Sequence, residues 1–205
     1  MTASLFPAFL KLADRQVLVV GGGAIATGKI PGLLEAGAKV TVVAPNVNAQ
    51  IREWVDAQRL RWFPKRFEAE DLDGKFLVVA ATALPEVNAA VFQEADRRQI
   101  LCNAVDDIEH CHFYYGAIVQ RGDLQIAIST NGKSPALAQR LRKELEEQFG
   151  PEYEAWVEEL GRERERVRDD AAGEAANKEL HRLASDEEFQ RFVSERLSKR
   201  KVANG

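Results

Sequence analysis

Residues 16–29 read QVLVVGGGAIATGK, and the rest of the fold is organised around them. Its first five residues form a short apolar run rich in β-branched side chains, which is typical of a buried parallel strand. Three glycines end the run, and a helix-compatible segment begins near Ala24. The turn between them, Gly21-x-Gly23-x-x-Ala26, fits the dinucleotide-binding fingerprint in its G-x-G-x-x-A form.

Small residues are what a phosphate-binding turn requires. Gly21 allows a tight turn, Gly23 has no Cβ to block a pyrophosphate, and Ala26 lets the helix pack closely on the strand. The helix N-terminus then offers free N–H groups and a partial positive charge to phosphate. The alternative is that the glycine-rich turn is purely structural and binds no ligand. Here the flanking strand and helix, with a second strand at 38–43, favour nucleotide binding.

Composition and charge exclude several classes of protein. The chain has 205 residues, 45% of them hydrophobic and 29% charged, which is ordinary for a soluble globular protein. A net charge of −4 argues against a nucleic-acid binder that works by charge. No apolar run approaches the roughly 20 residues of a membrane span, and no signal-peptide pattern is visible. Two cysteines are too few for a disulfide framework. We therefore expect a cytoplasmic protein.

The next hundred residues alternate strand and helix. Such alternation predicts an α/β fold with a Rossmann-like, doubly wound and mostly parallel sheet. The apolar lead-in, which includes Phe6 and Phe9, is expected to pack as a cap on the sheet edge. After the first strand–helix–strand unit, helices are predicted at 47–57 and 85–97, and strands at 60–63, 76–80 and 100–105.

The pattern changes after residue 112. Two β-runs, 113–120 and 124–129, are joined by Arg-Gly-Asp and predict a hairpin, which a helix over 136–149 follows. From residue 151 onward the pattern is helical. We therefore divide the chain into a Rossmann-like domain (1–112), a small α+β region (113–147) and a helical C-terminal domain (148–205).

Ligands of such sheets bind outside the carboxyl ends of the strands. The second strand ends at Pro45 and Asn46, where NAD sites usually carry an acidic residue that holds the ribose 2′-OH. Asn46 can donate and accept in its place, and no arginine follows directly, so the sequence favours NAD over NADP. Thr82, at the end of the fourth strand, either hydrogen-bonds the cofactor or caps a nearby helix.

The fifth strand closes with N-A-V-D-D at 103–107. Adjacent side chains leaving a strand point in different directions, so one of Asp106 and Asp107 can face the crevice while the other caps the turn. A carboxylate there can transfer a proton or bind a metal, and the alternative is an Asx-turn with a solvated carboxylate. A metal site at 110–112 (His-Cys-His) is not favoured, because adjacent residues cannot all converge on one ion.

The order of three motifs resembles the siroheme synthase N-terminal family over residues 5–150. They are G-G-G-x-I-A-x-x-K at 21–29, N-A-V-D-D at 103–107 and I-A-I-S-T-N-G-K-S-P-A-L-A-x-x-L-R at 126–142. Members are precorrin-2 dehydrogenases, and some are also sirohydrochlorin ferrochelatases. The resemblance implies that NAD+ takes a hydride from precorrin-2 to yield sirohydrochlorin, and that Fe2+ is a further substrate in some members. The alternative is a non-catalytic NAD-binding redox sensor that acts through its helical tail.

The resemblance also implies roles for single residues. The functional aspartate falls on Asp106, which would also hold the metal in a chelatase. The region 113–147 would form a homodimer, with the tetrapyrrole cavity between subunits. The substrate loop falls on Ser129, Thr130, Lys133 and Ser134, and Thr130 matches a position that is phosphorylated in some members. Basic residues 133, 140, 142 and 143 either meet the substrate carboxylates or are ordinary surface charge. With the fingerprint and the strand ends, the candidate cofactor residues are Gly21, Gly23, Ala24, Ile25, Pro45, Asn46, Thr82 and Asn103.

The chain departs from the family pattern at a few positions. Gly28 stands where Arg is common, Gly116 where Pro is common, and Asn131 where Gly is common. Ala83 and Leu84 replace two acidic residues that often follow the threonine. These differences leave details of the substrate loop and the cofactor rim open, but none touches the glycine turn or Asp106.

Overall fold

The computed structural model describes residues 4–170 and 173–203. The chain forms two compact units, of which the first ends at Tyr115 and the second begins at Gly116. The first unit carries the glycine turn, and the second carries the hairpin and the C-terminal helices.

The first unit is built on one parallel sheet, as predicted. Its strand order is β3-β2-β1-β4-β5, and every neighbouring pair is parallel. The Rossmann-like, doubly wound prediction is therefore confirmed. The strands are β1 (Gln16–Val20), β2 (Lys39–Val43), β3 (Arg61–Phe63), β4 (Leu77–Ala80) and β5 (Leu101–Ala104). The helices between them are α1 (Ala24–Glu35), α2 (Ala49–Asp56) and α3 (Pro85–Arg97).

From Val17 to Val20 the central strand β1 is buried on both faces, which explains why these four residues are all apolar, whereas Gln16 at its start is exposed. Val17 and Val19 belong to the core that also contains side chains of α1 and α2. Leu18 and Val20 belong to the core on the other face, which contains side chains of α3. Because successive side chains of a strand point to opposite faces, a run with no polar residue is required here.

The strand order determines where a crevice opens. From β1 the chain moves outward to β2 and β3, and it returns to the other side of β1 for β4 and β5. The carboxyl ends of β1 and β4 are therefore the switch point, at which ligands of open α/β sheets bind.

The lead-in does not pack as predicted. Phe6 is 90% exposed and Phe9 is 68% exposed, while Leu12 is buried. Residues 4–10 form no strand or helix, so the chain reaches the core only at Leu12. The predicted cap on the sheet edge is wrong for these phenylalanines.

The second unit begins with the predicted hairpin of β6 (Ala117–Arg121) and β7 (Leu124–Ile128), paired antiparallel. Its first strand starts at residue 117 rather than 113, because the Phe113 carbonyl accepts a hydrogen bond from the Asn103 side chain and the Phe113 ring packs against the core of the first unit. The helices that follow are α4 (Pro135–Gln148), α5 (Glu152–Asp170), α6 (Glu174–Leu183) and α7 (Asp186–Ala203). Within the described ranges no helix is long and apolar enough to cross a membrane.

Candidate cofactor cleft and catalytic edge

A cleft of about 820 Å³ lies at the carboxyl edge of the first unit's sheet, which is within the roughly 300–1,000 Å³ usual for small-molecule sites. It is bordered by the ends of β1, β2 and β4 and by the start of α1. Of the predicted cofactor residues it brings together Gly21, Gly23, Ala24, Ile25, Pro45, Asn46 and Thr82.

The glycines of the turn meet different surroundings. Gly21 has φ +125°, and a Cβ there would lie 2.3 Å from the Ala81 carbonyl oxygen. A Cβ on Gly22 would lie 2.2 Å from the Asn46 carbonyl oxygen. A Cβ on Gly23 would meet none of the described atoms within 4 Å. The fold itself therefore requires the first two glycines, whereas the third leaves space for an occupant of the cleft.

The N-terminus of α1 is open toward the cleft. No side chain of the described residues caps it, and its first turn holds no acidic residue. Ala24 and Ile25 line the cleft directly. Early N–H groups of a helix lack intrahelical partners, so this end offers donors and a partial positive charge to an anion.

Asn48, which the sequence did not single out, holds the β2–α2 loop against this turn. Its backbone N–H donates to the Gly22 carbonyl at 3.0 Å, and its side-chain amide donates to the Thr27 hydroxyl at 2.7 Å. Its Oδ1 accepts from the Ile51 N–H at 3.0 Å and so caps α2. One side chain thus fixes the start of α2 and joins it to α1. An Asn directly before a helix is the signal that could have identified it.

Thr82 lines the cleft, but its hydroxyl is already bonded. It donates to the Asn88 side-chain oxygen at 2.8 Å and accepts from the Leu84 N–H at 3.1 Å. Thr82 therefore borders the cleft and stabilises the turn before α3. It is not the N-cap of that helix, a position that Leu84 holds without a side-chain cap, and a hydrogen bond to the cofactor stays a prediction.

Asn103 is not among the residues that line the cleft. Its side chain is 6% exposed, and its amide donates to the Phe113 carbonyl at 2.8 Å and to the Cys111 sulfur at 3.3 Å. The residue braces the segment after β5 against the strand, because a buried amide must find its partners inside the protein.

Asp106 and Asp107 diverge at the end of β5. Asp106 has a left-handed backbone (φ +63°), is exposed, and its carboxylate bonds to no residue that the structure describes. The Asp107 Oδ2 lies 2.6 Å from His110 Nδ1. One carboxylate is thus free for chemistry at this edge, while the other is used by the turn that follows.

The residues at 110–112 each have their own partner. His112 Nδ1 accepts from the Cys102 N–H at 3.0 Å, and its Nε2 lies 3.0 Å from an Asp96 oxygen. The Cys111 sulfur lies 3.1 and 3.0 Å from the Ala104 and Asp107 carbonyl oxygens, which share its single S–H donor. Across the described ranges, no three His, Cys, Asp or Glu side chains are arranged to hold a metal ion.

In the second unit the predicted substrate loop is a tight turn before α4. The Ser129 hydroxyl accepts from the Asn131 N–H at 3.1 Å, and the Thr130 hydroxyl accepts from the Ser134 N–H at 3.0 Å. Ser134 Oγ caps the helix by accepting from the Leu137 N–H at 3.2 Å.

The four basic residues near this loop differ in their availability. Arg140 pairs with Glu144, and Arg142 pairs with Glu146, each one turn along α4. Lys133 is exposed and forms no ion pair with a described residue. Lys143, on α4, is likewise exposed and forms no ion pair with a described residue, so Lys133 and Lys143 are the better candidates for an external carboxylate, and Lys133 lies in the loop itself.

Several cleft residues were not anticipated. Arg66 and Phe67 come from the loop after β3, and Leu84 and Val87 from the start of α3. No local signal in the sequence identifies the first two, since the β3 loop ends beside the β2 loop only when β3 pairs with β2.

Comparison with known proteins agrees with this geometry. A family described as putative NAD(P)-binding matches residues 8–117, and one described as sirohaem biosynthesis protein central matches residues 121–148. The siroheme synthase of Photorhabdus laumondii is 43% identical over 162 residues, which is 79% of this chain and 34% of that protein. The siroheme synthase of Mannheimia succiniciproducens is 45% identical over 141 residues, 69% of this chain and 30% of that protein. The chain thus spans about a third of these relatives.

Among solved structures, SirC, a precorrin-2 dehydrogenase, superposes with a TM-score of 0.81 at 31% identity. The match covers 98% of this chain and 100% of that one. Unlike the longer synthases, this relative is matched over its whole length.

Proposed function

This chain belongs to the precorrin-2 dehydrogenase family of NAD(P)-binding proteins, and we propose that it oxidises precorrin-2 to sirohydrochlorin with NAD+ as the hydride acceptor. The observation that carries the proposal is the glycine-lined cleft at the switch point, on a fold matched from end to end by a dehydrogenase of this reaction.

The residues of the cleft fit a dinucleotide. Gly23 leaves the approach to the α1 N-terminus open, so the N–H groups of Ala24 and Ile25 would hold the pyrophosphate. Pro45 and Asn46, after β2, would hold the adenosine ribose, and the turn at Thr82 would border the nicotinamide end. When bound, NAD+ supplies the hydride-accepting ring.

Asp106 is the proposed catalytic residue. Its carboxylate stands at the same sheet edge and is not used by any described neighbour. In the proposed reaction a carboxylate oxygen of Asp106 takes the proton that leaves the tetrapyrrole ring. The left-handed backbone at this position is one that Asp tolerates better than most residues.

The second unit is proposed to contribute substrate contacts and self-association. Lys133 and the hydroxyls of Ser129, Thr130 and Ser134 would meet carboxylates of the tetrapyrrole.

We also propose that residues 113–147 form a homodimer. Ile118 and Leu137 support this, being 47% and 38% exposed although both are large and apolar. Light scattering of the purified chain tests the dimer. A cytoplasmic location, where thiols such as Cys102 and Cys111 stay reduced, completes the proposal.

Asp106→Asn tests the catalytic assignment with minimal disturbance, because Asn also tolerates a left-handed backbone. The variant is expected to bind NAD+ normally but to form no sirohydrochlorin. The absorbance of sirohydrochlorin after precorrin-2 is added measures its formation. Asp107→Asn is the matched control, since it alters the neighbouring carboxylate that is bonded to His110, and it should keep most activity. Full activity of Asp106→Asn would remove Asp106 from the mechanism.

Ferrochelatase activity is a second candidate, favoured by the free Asp106 carboxylate as an oxygen ligand for Fe2+. The rate of iron insertion into sirohydrochlorin, with and without protein, decides it. An unchanged rate leaves the dehydrogenase alone.

A redox sensor is the remaining alternative. Such a protein would bind NAD+ in the same cleft but would produce no sirohydrochlorin absorbance from precorrin-2. The same spectrum therefore distinguishes the sensor from the enzyme.

A further inference from the structure

The described lining of the cleft carries one positive charge and no carboxylate to balance it. Among the described residues that line it, Arg66 is the only one with a charged side chain, and none carries a carboxylate. A dinucleotide site specific for NAD normally has an acidic residue at the end of its second strand, which bonds the ribose 2′-OH and repels a 2′-phosphate. Here that position is held by Pro45 and Asn46.

Arg66 approaches the cleft from the adenosine side. Strand β3 pairs with β2 in parallel register, Val43 opposite Phe63, and the Ala44 N–H donates to the Phe63 carbonyl at 3.3 Å. The chain therefore leaves β3 beside the point where it leaves β2. Arg66 follows three residues later, on the opposite side of the glycine turn from Thr82.

The Arg66 guanidinium is also available. Nearby Lys65 is held by Glu68 and Asp71, at 2.5 and 3.1 Å, and the Arg52 guanidinium lies over the Trp62 ring at 4.8 Å. Arg66 is exposed and forms no hydrogen bond or ion pair with any residue in the described ranges. Its donors are free for a ligand in the cleft, and a guanidinium matches the geometry of a phosphate group.

We infer that Arg66 determines specificity at the ribose 2′-position and that the cleft accepts NADP+ as well as NAD+. The inference rests on the proposed cofactor site and adds a 2′-phosphate subsite to it. Arg66 supplies the donors for that phosphate, and the absence of a carboxylate at Asn46 removes the repulsion that would exclude it.

Calorimetric titration of the full chain with NAD+ and with NADP+, without precorrin-2, tests this directly. The two dissociation constants are expected to agree within about tenfold, since no acidic residue discriminates between them. In Arg66→Ala, the affinity for NADP+ should fall by about tenfold or more, which is the usual effect of losing a charge-assisted contact. The affinity for NAD+ should change by less than about threefold. Arg61→Ala is the matched control, because Arg61 begins the strand that leads into the Arg66 loop but does not line the cleft.

Three results would overturn the inference. NADP+ binding more than about tenfold weaker than NAD+ would show that the cleft excludes the 2′-phosphate. An equal loss of affinity for NAD+ and NADP+ in Arg66→Ala would mean that Arg66 contacts a part of the cofactor that the two share. If neither dinucleotide binds, the cofactor site itself fails, whereas NAD+ binding with exclusion of NADP+ leaves the proposed dehydrogenase intact.

Discussion

Both ends of the Asn88 side-chain amide are bonded to Thr82. Asn88 Oδ1 accepts from the Thr82 N–H at 3.1 Å and from its hydroxyl at 2.8 Å, and Asn88 Nδ2 donates to the Thr82 carbonyl at 3.1 Å. Asn88 is buried on α3, whereas Thr82 follows β4 and borders the cleft. The helix thus holds one wall of the proposed cofactor site in place.

Asn88→Ala is expected to lower the free energy of unfolding by about 1–3 kcal/mol, because it leaves the Thr82 N–H and C=O without their partners. NAD+ affinity should fall as well, since the wall at Thr82 loses its support. Urea denaturation and calorimetric titration measure the two effects. Gln93→Ala, an exposed change on the same helix, should leave both unchanged. Wild-type NAD+ affinity in Asn88→Ala would show that the Asn88–Thr82 contact does not contribute to cofactor binding.

Gly23→Ser should separate binding from folding. The added Cβ has open space, and serine is a good N-cap, so stability should be maintained or raised. The same side chain enters the cleft and engages the N–H groups that phosphate needs, so NAD+ binding should weaken by about tenfold or more. Unaltered affinity in a folded Gly23→Ser protein would argue that pyrophosphate lies elsewhere.

Gly21→Ala should behave in the opposite way. Its Cβ would overlap the Ala81 carbonyl, and φ +125° is strained for any residue with a side chain. We expect a loss of about 2 kcal/mol or more in unfolding free energy, measured by urea denaturation. Wild-type stability in this variant would mean that the turn is looser than the structure indicates.

The two cysteines should resist alkylation while the protein is folded. Burial raises the pKa of Cys102 to about 12, and burial also raises the pKa of Cys111, so both thiols stay protonated at pH 8. Iodoacetamide should therefore modify them far more slowly in the native protein than in urea, as followed by mass spectrometry. Rapid native modification of Cys102 would contradict its burial.

The same shift has a consequence for stability at high pH. The unfolded Cys102 thiol loses its proton near its ordinary pKa of 9.0, whereas the folded thiol keeps it to about 12. The unfolded state therefore binds fewer protons in this window, and the unfolding free energy should fall as the pH rises above 9. Denaturation at pH 8 and pH 10 should show a smaller fall in Cys102→Ala than in the wild type. An equal fall would assign the effect to other groups.

Arg121 should be a main support of the second unit. Its guanidinium donates to the carbonyls of Phe149 and Glu146 at the end of α4, at 2.9 and 3.0 Å, and to the Gln120 carbonyl at 2.9 Å. Arg121→Ala should lower the free energy of unfolding by about 1–3 kcal/mol. Arg121→Lys should restore only part of this loss, because an ammonium group cannot span three acceptors. Arg140→Ala, which removes an exposed ion pair, should have little effect. Denaturation followed by circular dichroism measures all three, and equal stability of Arg121→Ala and wild type would contradict this role.

Local sequence was enough to predict most elements and the glycine turn that organises them. The apolar run at β1, the glycines after it and the pattern over 85–97 predicted strand, turn and helix, because strand burial, tight turns and helix periodicity depend on neighbouring residues. The residues of the cleft that follow directly from the fingerprint, Gly23 to Ile25, were predicted for the same reason.

Which distant residues meet could be seen only in the folded chain. Arg66 reaches the cleft because β3 pairs with β2, Asn88 holds Thr82 because α3 packs on that face, and Asn103 turns inward because Phe113 lies beside it. Phe6 remains exposed although it is apolar. Such pairings depend on strand order and on contacts between residues far apart in the chain, and local periodicity carries no information about either.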